Sequence, residues 1–180
     1  MQIFCMPTRQ ENGSLAVRKL LRHAVLLTYG ISAPEIEKTE NGKPWFPTLP
    51  QLHFSLSHTQ EYVLCALSDV PVGCDIENNR RKVSPRLSAR VCHPEELAAF
   101  PFFSLWTLKE SLIKLTDSRL RDLKTMVFEH RGNDIFSPSF DVYGMLYHTV
   151  PGHTVAVCSK IPDFPPEIHI VSPEKLTENT

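Results

Sequence analysis

LHFSLSHTQEYVLCALSDVPVGCDIE, residues Leu52–Glu77, contains three short segments in which apolar and β-branched residues nearly alternate with polar ones: Leu52–Leu56, Tyr62–Leu67 and Val72–Glu77. Short runs of this kind, separated by turn residues, predict strands joined as an antiparallel meander. Upstream, Leu15, Leu20, Leu21, Ala24, Val25 and Leu27 recur among Arg18, Lys19, Arg22 and His23. That spacing predicts an amphipathic helix over about 14–29, with Ser14 as N-cap and Gly30 as the stop. Between helix and meander, Asn41–Pro47 is turn punctuation carrying two prolines. Downstream the order repeats: Phe103, Trp106, Leu108, Leu112, Ile113 and Leu115 predict a helix over about 103–116, followed by strands near 124–130, 140–149 and 153–160. A helix followed by a meander, twice over, predicts an α+β fold of two similar halves, 1–80 and 81–180. The repetition is one of order; the halves show no residue-by-residue identity.

Composition narrows the class. A chain of 180 residues is long enough to bury a core without metal or disulfide staples. Lys and Arg number 19 against 20 Asp and Glu, a net charge of −1, which argues against a generic nucleic-acid binder. Apolar content of 42% with 22% charged residues excludes wholesale disorder. The 15 prolines against 7 glycines indicate rigid corners, including the Pro-rich tail after Ile161. Cys5, Cys65, Cys74, Cys92 and Cys158 have no C-x-x-C spacing or disulfide rhythm, and most sit among apolar neighbours, as core thiols in a reducing compartment do. With no apolar run of membrane-spanning length and no export signal at Met1–Pro7, the expectation is a soluble, cytoplasmic protein with neither membrane nor nucleic acid as partner. The stretch from Arg80 to Arg90 is basic without an acid, and serves either as a solvated linker or as a surface for an acidic partner.

The candidate chemistry lies in four strings. In Gly73–Glu77, strand periodicity projects Asp75 and Glu77 from one face, about 7 Å apart, and Cys74 and Ile76 into a core. Two such carboxylates repel unless a cation lies between them, and hard oxygen ligands suit Mg²⁺ with substrate phosphates; the alternative is an exposed face of solvated acids. Glu110 and Lys114 are four apart on the second helix, either as a surface ion pair or as a third carboxylate with a phosphate-neutralising ammonium. Ser57 and His58, adjacent on an extended chain, point apart and make a poor nucleophile–base pair. They fit a phosphate-holding turn or an ordinary hydrogen-bonded one. Lys43, in the rigid Gly42–Pro44 turn, either aims its ammonium at a phosphate or solubilises the turn.

In order and spacing, Asn41–Pro44, His53–His58, Gly73–Glu77 and Trp106–Ser111 with Lys114 resemble the 4′-phosphopantetheinyl transferases of the surfactin-synthetase-activating type; the similarity extends over about residues 14–176. The resemblance implies two pseudo-twofold-related α+β halves with coenzyme A in the cleft between them. It implies transfer of the phosphopantetheine arm to a serine of an apo acyl or peptidyl carrier protein, releasing adenosine 3′,5′-bisphosphate. By the same resemblance Asp75, Glu77 and Glu110 hold Mg²⁺ (Mn²⁺ being the alternative), and His58 contacts the pyrophosphate. Lys43 and Ser57 belong to the coenzyme site, Lys109 and Lys114 contact phosphates, and residues about 117–148 face the carrier. Glu110 is favoured as a ligand that also has a candidate base role toward the carrier serine, and Glu96 is the other candidate base. Relatives carry a longer basic N-terminal segment that clasps the coenzyme 3′-phosphate. Here Arg9 is the sole basic residue before the first helix, so Ser14, Arg18, Lys19, Arg22, Arg80 and Arg81 are the substitutes. Both walls of the cleft come from one chain, so a monomer suffices. The alternative function is a catalytically weak relative that binds coenzyme A or carrier protein.

Overall fold

The computed structural model describes residues 1–8, 12–32, 34–118 and 120–177. Strand β1 (Gln2–Pro7) leads into helix α1 (Gly13–Tyr29), which starts one residue before the expected helix. The cap is not Ser14: the Asn12 side chain accepts from the Ser14 and Leu15 amides at 2.9 and 3.4 Å, which moves the helix start upstream. Gly30 closes the helix in the left-handed conformation at φ 69°, where a Cβ would be strained. A small hairpin, β2 (Glu37–Lys38) and β3 (Pro44–Trp45), precedes the meander of β4 (His53–His58), β5 (Tyr62–Ser68) and β6 (Val72–Asn78).

Two short helices, α2 (Pro85–Val91) and α3 (Pro94–Ala99), occupy the basic junction and the residues directly after it. Each begins with proline at its first position, preceded by a capping residue: the Ser84 hydroxyl accepts from the Leu87 amide, and His93 and Glu96 form a capping box. Helix α4 (Phe102–Thr116) matches the expected second helix. Where the sequence predicts a strand near 124–130, the chain forms a 3₁₀ helix (Leu120–Thr125) and only the short β7 (Glu129–Arg131). The remaining elements are β8 (Asp134–Ser137), β9 (Val142–Tyr147), β10 (His153–Ser159), β11 (His169–Ile170) and α5 (Glu174–Thr177).

Apart from the β2–β3 hairpin, the strands form two mainly antiparallel sheets, in the orders β11-β1-β5-β4 and β6-β10-β9-β8-β7. Strand β6 therefore belongs with β10, Glu77 opposite Thr154, and not with the meander strands that precede it. The tail returns to the first sheet, where β11 pairs parallel with β1. Both exchanges cross the division expected after residue 80.

Side-chain alternation along the central strands builds four layers. On β5, Val63, Cys65 and Leu67 pack under α1, while Leu64 and Ala66 face the second sheet. On β10, Val155 and Val157 meet them in a shared core, while Ala156 and Cys158 pack under α4. The free edges of the two sheets, β4 and β6, lie against each other, and the Ser55 hydroxyl accepts from the Cys74 amide at 2.9 Å. Helix α4 sits so close on β6 that a Cβ at Gly73 would come within 1.9 Å of the Ser111 carbonyl oxygen. Among the described residues, no helix is long and apolar enough to cross a membrane.

Candidate functional site

The seam between β4, β6 and α4 gathers most of the sequence candidates. Asp75 is 5% exposed, and its Oδ1 accepts from the Ser57 hydroxyl at 2.6 Å and from the Lys114 ammonium at 2.7 Å. Its other oxygen, Oδ2, is buried with no hydrogen-bond partner among the described residues. Burial lowers the Lys114 pKa, but Asp75, Cys74 and Glu110 together outweigh it and the net shift is upward. Glu77, two residues along the same strand face, accepts from the Trp106 indole at 2.8 Å and from Arg81 at 2.9 Å. Glu110, one helical turn before Lys114, is pushed up to about 7, first by burial and then by the Asp75 carboxylate, with Glu77 adding to the effect.

Asp75, Glu77 and Glu110 thus lie near enough to act on one another, with Lys114 paired to Asp75 and Arg81 to Glu77. The hard-oxygen donor set, the orphaned Asp75 Oδ2 and the raised Glu110 together fit a divalent cation such as Mg²⁺. Among the described residues, however, no three His, Cys, Asp or Glu side chains are drawn into a ligating group. The Lys114 ammonium pairs with Asp75 instead, and Glu77 turns toward Trp106 and Arg81.

A cleft of about 920 Å³ opens beside the acids, with His58, Thr59 and Gln60 on one wall and Glu77, Asn78 and Arg81 on the other. The exposed His58 packs so tightly on the start of α1 that a Cβ at Gly13 would meet its ring at 2.4 Å. A smaller cavity of about 300 Å³ lies at the other end of α4, between Lys43 and Lys114. Lys43 donates to the Leu115 carbonyl at 2.9 Å, capping the helix; burial lowers its pKa and Asp117 opposes that shift.

Lys109 and Glu96 depart from their expected places. Lys109 is fully buried and donates to Glu96 at 2.7 Å and to the Val91 carbonyl at 2.9 Å. Glu96, 3% exposed, also accepts from the His93 and Phe128 amides. Both side chains are thus held in the core of the α3–α4 corner. The reason is helical geometry: residues 109 and 110 point about 100° apart, so Lys109 turns into the core as Glu110 faces the acids. Ser57 also differs from expectation, since its hydroxyl donates to Asp75. Sequence reasoning missed Trp106 as a donor to Glu77 and Asp117 as a contact of the 37–45 hairpin, and had Arg81 only as one of several phosphate-holding substitutes. Only Arg81 had a local signal, its i+4 spacing from Glu77. Of the proposed phosphate-holding substitutes, Arg80 pairs with Glu61 at 3.4 Å and Arg81 with Glu77 at 2.9 Å, while Arg18 and Arg22 are exposed on α1; Arg9 itself lies outside the described residues.

Comparison with known proteins is consistent with this site. The family model described as the 4′-phosphopantetheinyl transferase superfamily matches residues 71–158, a stretch that holds Asp75, Glu77, Glu110 and Lys114. The chain is 32% identical over 177 residues to the 4′-phosphopantetheinyl transferase Sfp of Bacillus subtilis (strain 168), covering 87% of this chain and 78% of that protein. It is 28% identical over 174 residues to the 4′-phosphopantetheinyl transferase psf-1 of Bacillus pumilus, covering 87% and 75% of the two chains. To the 4′-phosphopantetheinyl transferase AcpT of Escherichia coli (strain K12) it is 37% identical over 112 residues, covering 56% and 55%.

Proposed function

The chain belongs to the 4′-phosphopantetheinyl transferase superfamily, in its Sfp type, and from that premise we propose that it is an enzyme moving the 4′-phosphopantetheine arm of coenzyme A onto a serine of an apo-carrier protein. The observation that carries this reading is the acid cluster at the cleft: Asp75 joined to Ser57 and Lys114, with Glu77 and Glu110 beside it.

In the proposed reaction the carrier serine oxygen bonds to the phosphorus that bears the pantetheine arm. The bond from that phosphorus to the bridging pyrophosphate oxygen breaks, and adenosine 3′,5′-bisphosphate leaves with the electron pair. Lys114 holds positive charge against the phosphoryl oxygens, where stabilisation matters most in phosphoryl transfer. His58, on the cleft wall, binds the pyrophosphate, and Lys43 belongs to the coenzyme side. Ser57 acts through Asp75, holding the carboxylate in place. Glu110 takes the serine proton. Asp75, Glu77 and Glu110 would hold Mg²⁺, which when bound supplies charge stabilisation to the phosphate oxygens. The Lys109–Glu96 pair supports the fold of the α3–α4 corner.

Mass spectrometry of apo-carrier proteins from fatty-acid, polyketide and peptide synthesis, incubated with the enzyme, coenzyme A and Mg²⁺, tests the reading. The expected result is the mass gain of one phosphopantetheine on at least one carrier, lost on chelation of the metal. Coenzyme binding in calorimetry with no loading of any carrier would overturn the enzymatic reading.

A further inference from the structure

The β2–β3 hairpin is held by two ladder pairs, Glu37 with Trp45 and Lys38 with Pro44, and such a short ribbon does not hold its place unaided. Its root is fixed by the buried Phe46. Its tip turns through Gly42 at φ 91° and crosses to the far end of α4. There Asp117 receives it: the Thr39 hydroxyl donates to Asp117 Oδ2 at 3.0 Å, and the Asn41 amide donates to the Asp117 carbonyl at 3.2 Å. Thr39 also accepts from the Lys43 amide at 3.0 Å, so the residue clasped by Asp117 is the one that sets the Lys43 backbone. The small cavity has Lys43 and Pro44 of this hairpin as one wall, Ile113 and Lys114 of α4 as the other, and Phe54 and Leu56 as its apolar floor. Its width is therefore set by how the hairpin is tied to the helix end.

We propose that Asp117 is a positioning residue, which by clasping the 37–45 hairpin to the end of α4 fixes Lys43 and the cavity wall and so sets the affinity for coenzyme A. The inference rests on the coenzyme reading given above for Lys43. Asp117 is suited to a clean test because its own backbone is left-handed, at φ 55°. Glycine is favoured in that conformation, so Asp117→Gly removes the side chain without straining the helix end. Asp117→Asn keeps an oxygen that accepts from Thr39 and tolerates the same backbone.

The experiment combines hydrogen exchange with steady-state carrier loading in the full chain. Asp117→Gly should speed exchange at the Thr39, Gly42 and Lys43 amides and raise the KM for coenzyme A about tenfold, the equivalent of one charge-assisted hydrogen bond. The kcat should stay near that of the parent protein, and Asp117→Asn should restore both readouts most of the way. Unchanged exchange in the hairpin would overturn the clasp, whatever the kinetics. Faster exchange with an unchanged coenzyme KM would overturn the link from clasp to affinity. Absence of coenzyme binding by the parent protein in calorimetry would overturn the coenzyme reading itself, while the exchange data still decide the clasp.

Discussion

At the scale of single residues, two lysines five positions apart have opposite fates, and the helix period explains both. Lys114 is four residues from Glu110 and shares its face, so it meets Asp75; Lys109 is one residue from Glu110 and turns into the protein to meet Glu96. The acids and Lys114 were legible in the sequence because each sits at a spacing that strand or helix periodicity converts into a direction. The Glu96–Lys109 pair was not, since nothing local tells residue 96 that a helix thirteen residues on will cross it. The contrast is measurable. Lys114→Met should reduce kcat for carrier loading by about 10²–10³, the usual effect of removing one group that stabilises developing charge. Lys109→Met leaves the Glu96 carboxylate buried and unpaired, a loss of about 3–5 kcal/mol, and should lower Tm by on the order of 10 °C. The cysteines obey the same logic of burial: all five are buried, and Cys5 and Cys158 are pushed up to about 12 and Cys74 to about 11, chiefly by desolvation. A raised pKa keeps each of these thiols protonated at neutral pH and hence a poor nucleophile. Maleimide labelling and mass spectrometry should find all five slow in the native protein and fast in denaturant.

At the scale of elements, long periodic segments were read nearly to their ends, and short ones were not. Helices α1 and α4 and strands β4, β5 and β6 lie within two residues of the expected bounds. Helices α2 and α3, of seven and six residues, are too short for an apolar repeat to declare itself, and their caps and prolines were the available signals. Strand β1 is buried over four consecutive residues, so no alternation marks it. The close approach of α4 to β6 is likewise invisible in sequence, although it places Lys114 on Asp75. It depends on Gly73: an added methyl would lie 1.9 Å from the Ser111 carbonyl oxygen and 2.6 Å from the Leu115 amide nitrogen, both backbone atoms. Gly73→Ala should therefore force the helix outward, at about 1–3 kcal/mol of overpacking. Calorimetry should show a lower Tm, and carrier loading should fall with it because Lys114 and Glu110 retreat from Asp75. Full activity with a parental Tm would remove Gly73 from this role.

At the scale of the whole molecule, the near-zero net charge conceals local segregation, with three acids on one seam and a basic junction after it. The repeated helix-and-meander order pointed to two similar halves, but sequence adjacency does not say which sheet a strand enters. Strand β6 comes after β5 yet pairs with β10, and β11 comes after the second sheet yet pairs with β1. These crossings have a thermodynamic consequence. Ile3, Cys5, Leu64 and Ala66 of the first sheet share one buried cluster with Cys74, Ile76, Val155 and Val157 of the second. Unfolding either sheet would expose that cluster to water, at about 25 cal/mol for each Å² of apolar surface, so the two sheets stabilise each other. The two tryptophans report on the two sides: Trp45 lies in the β2–β3 hairpin and Trp106 in α4. In urea, the fluorescence transitions of Trp45→Phe and Trp106→Phe variants, each referred to its own far-UV circular dichroism transition, should coincide, as a single cooperative unit requires. A fluorescence midpoint displaced from the dichroism midpoint in either variant would instead mean that the sheets unfold in separate steps, and that the shared core couples them too weakly to act as one.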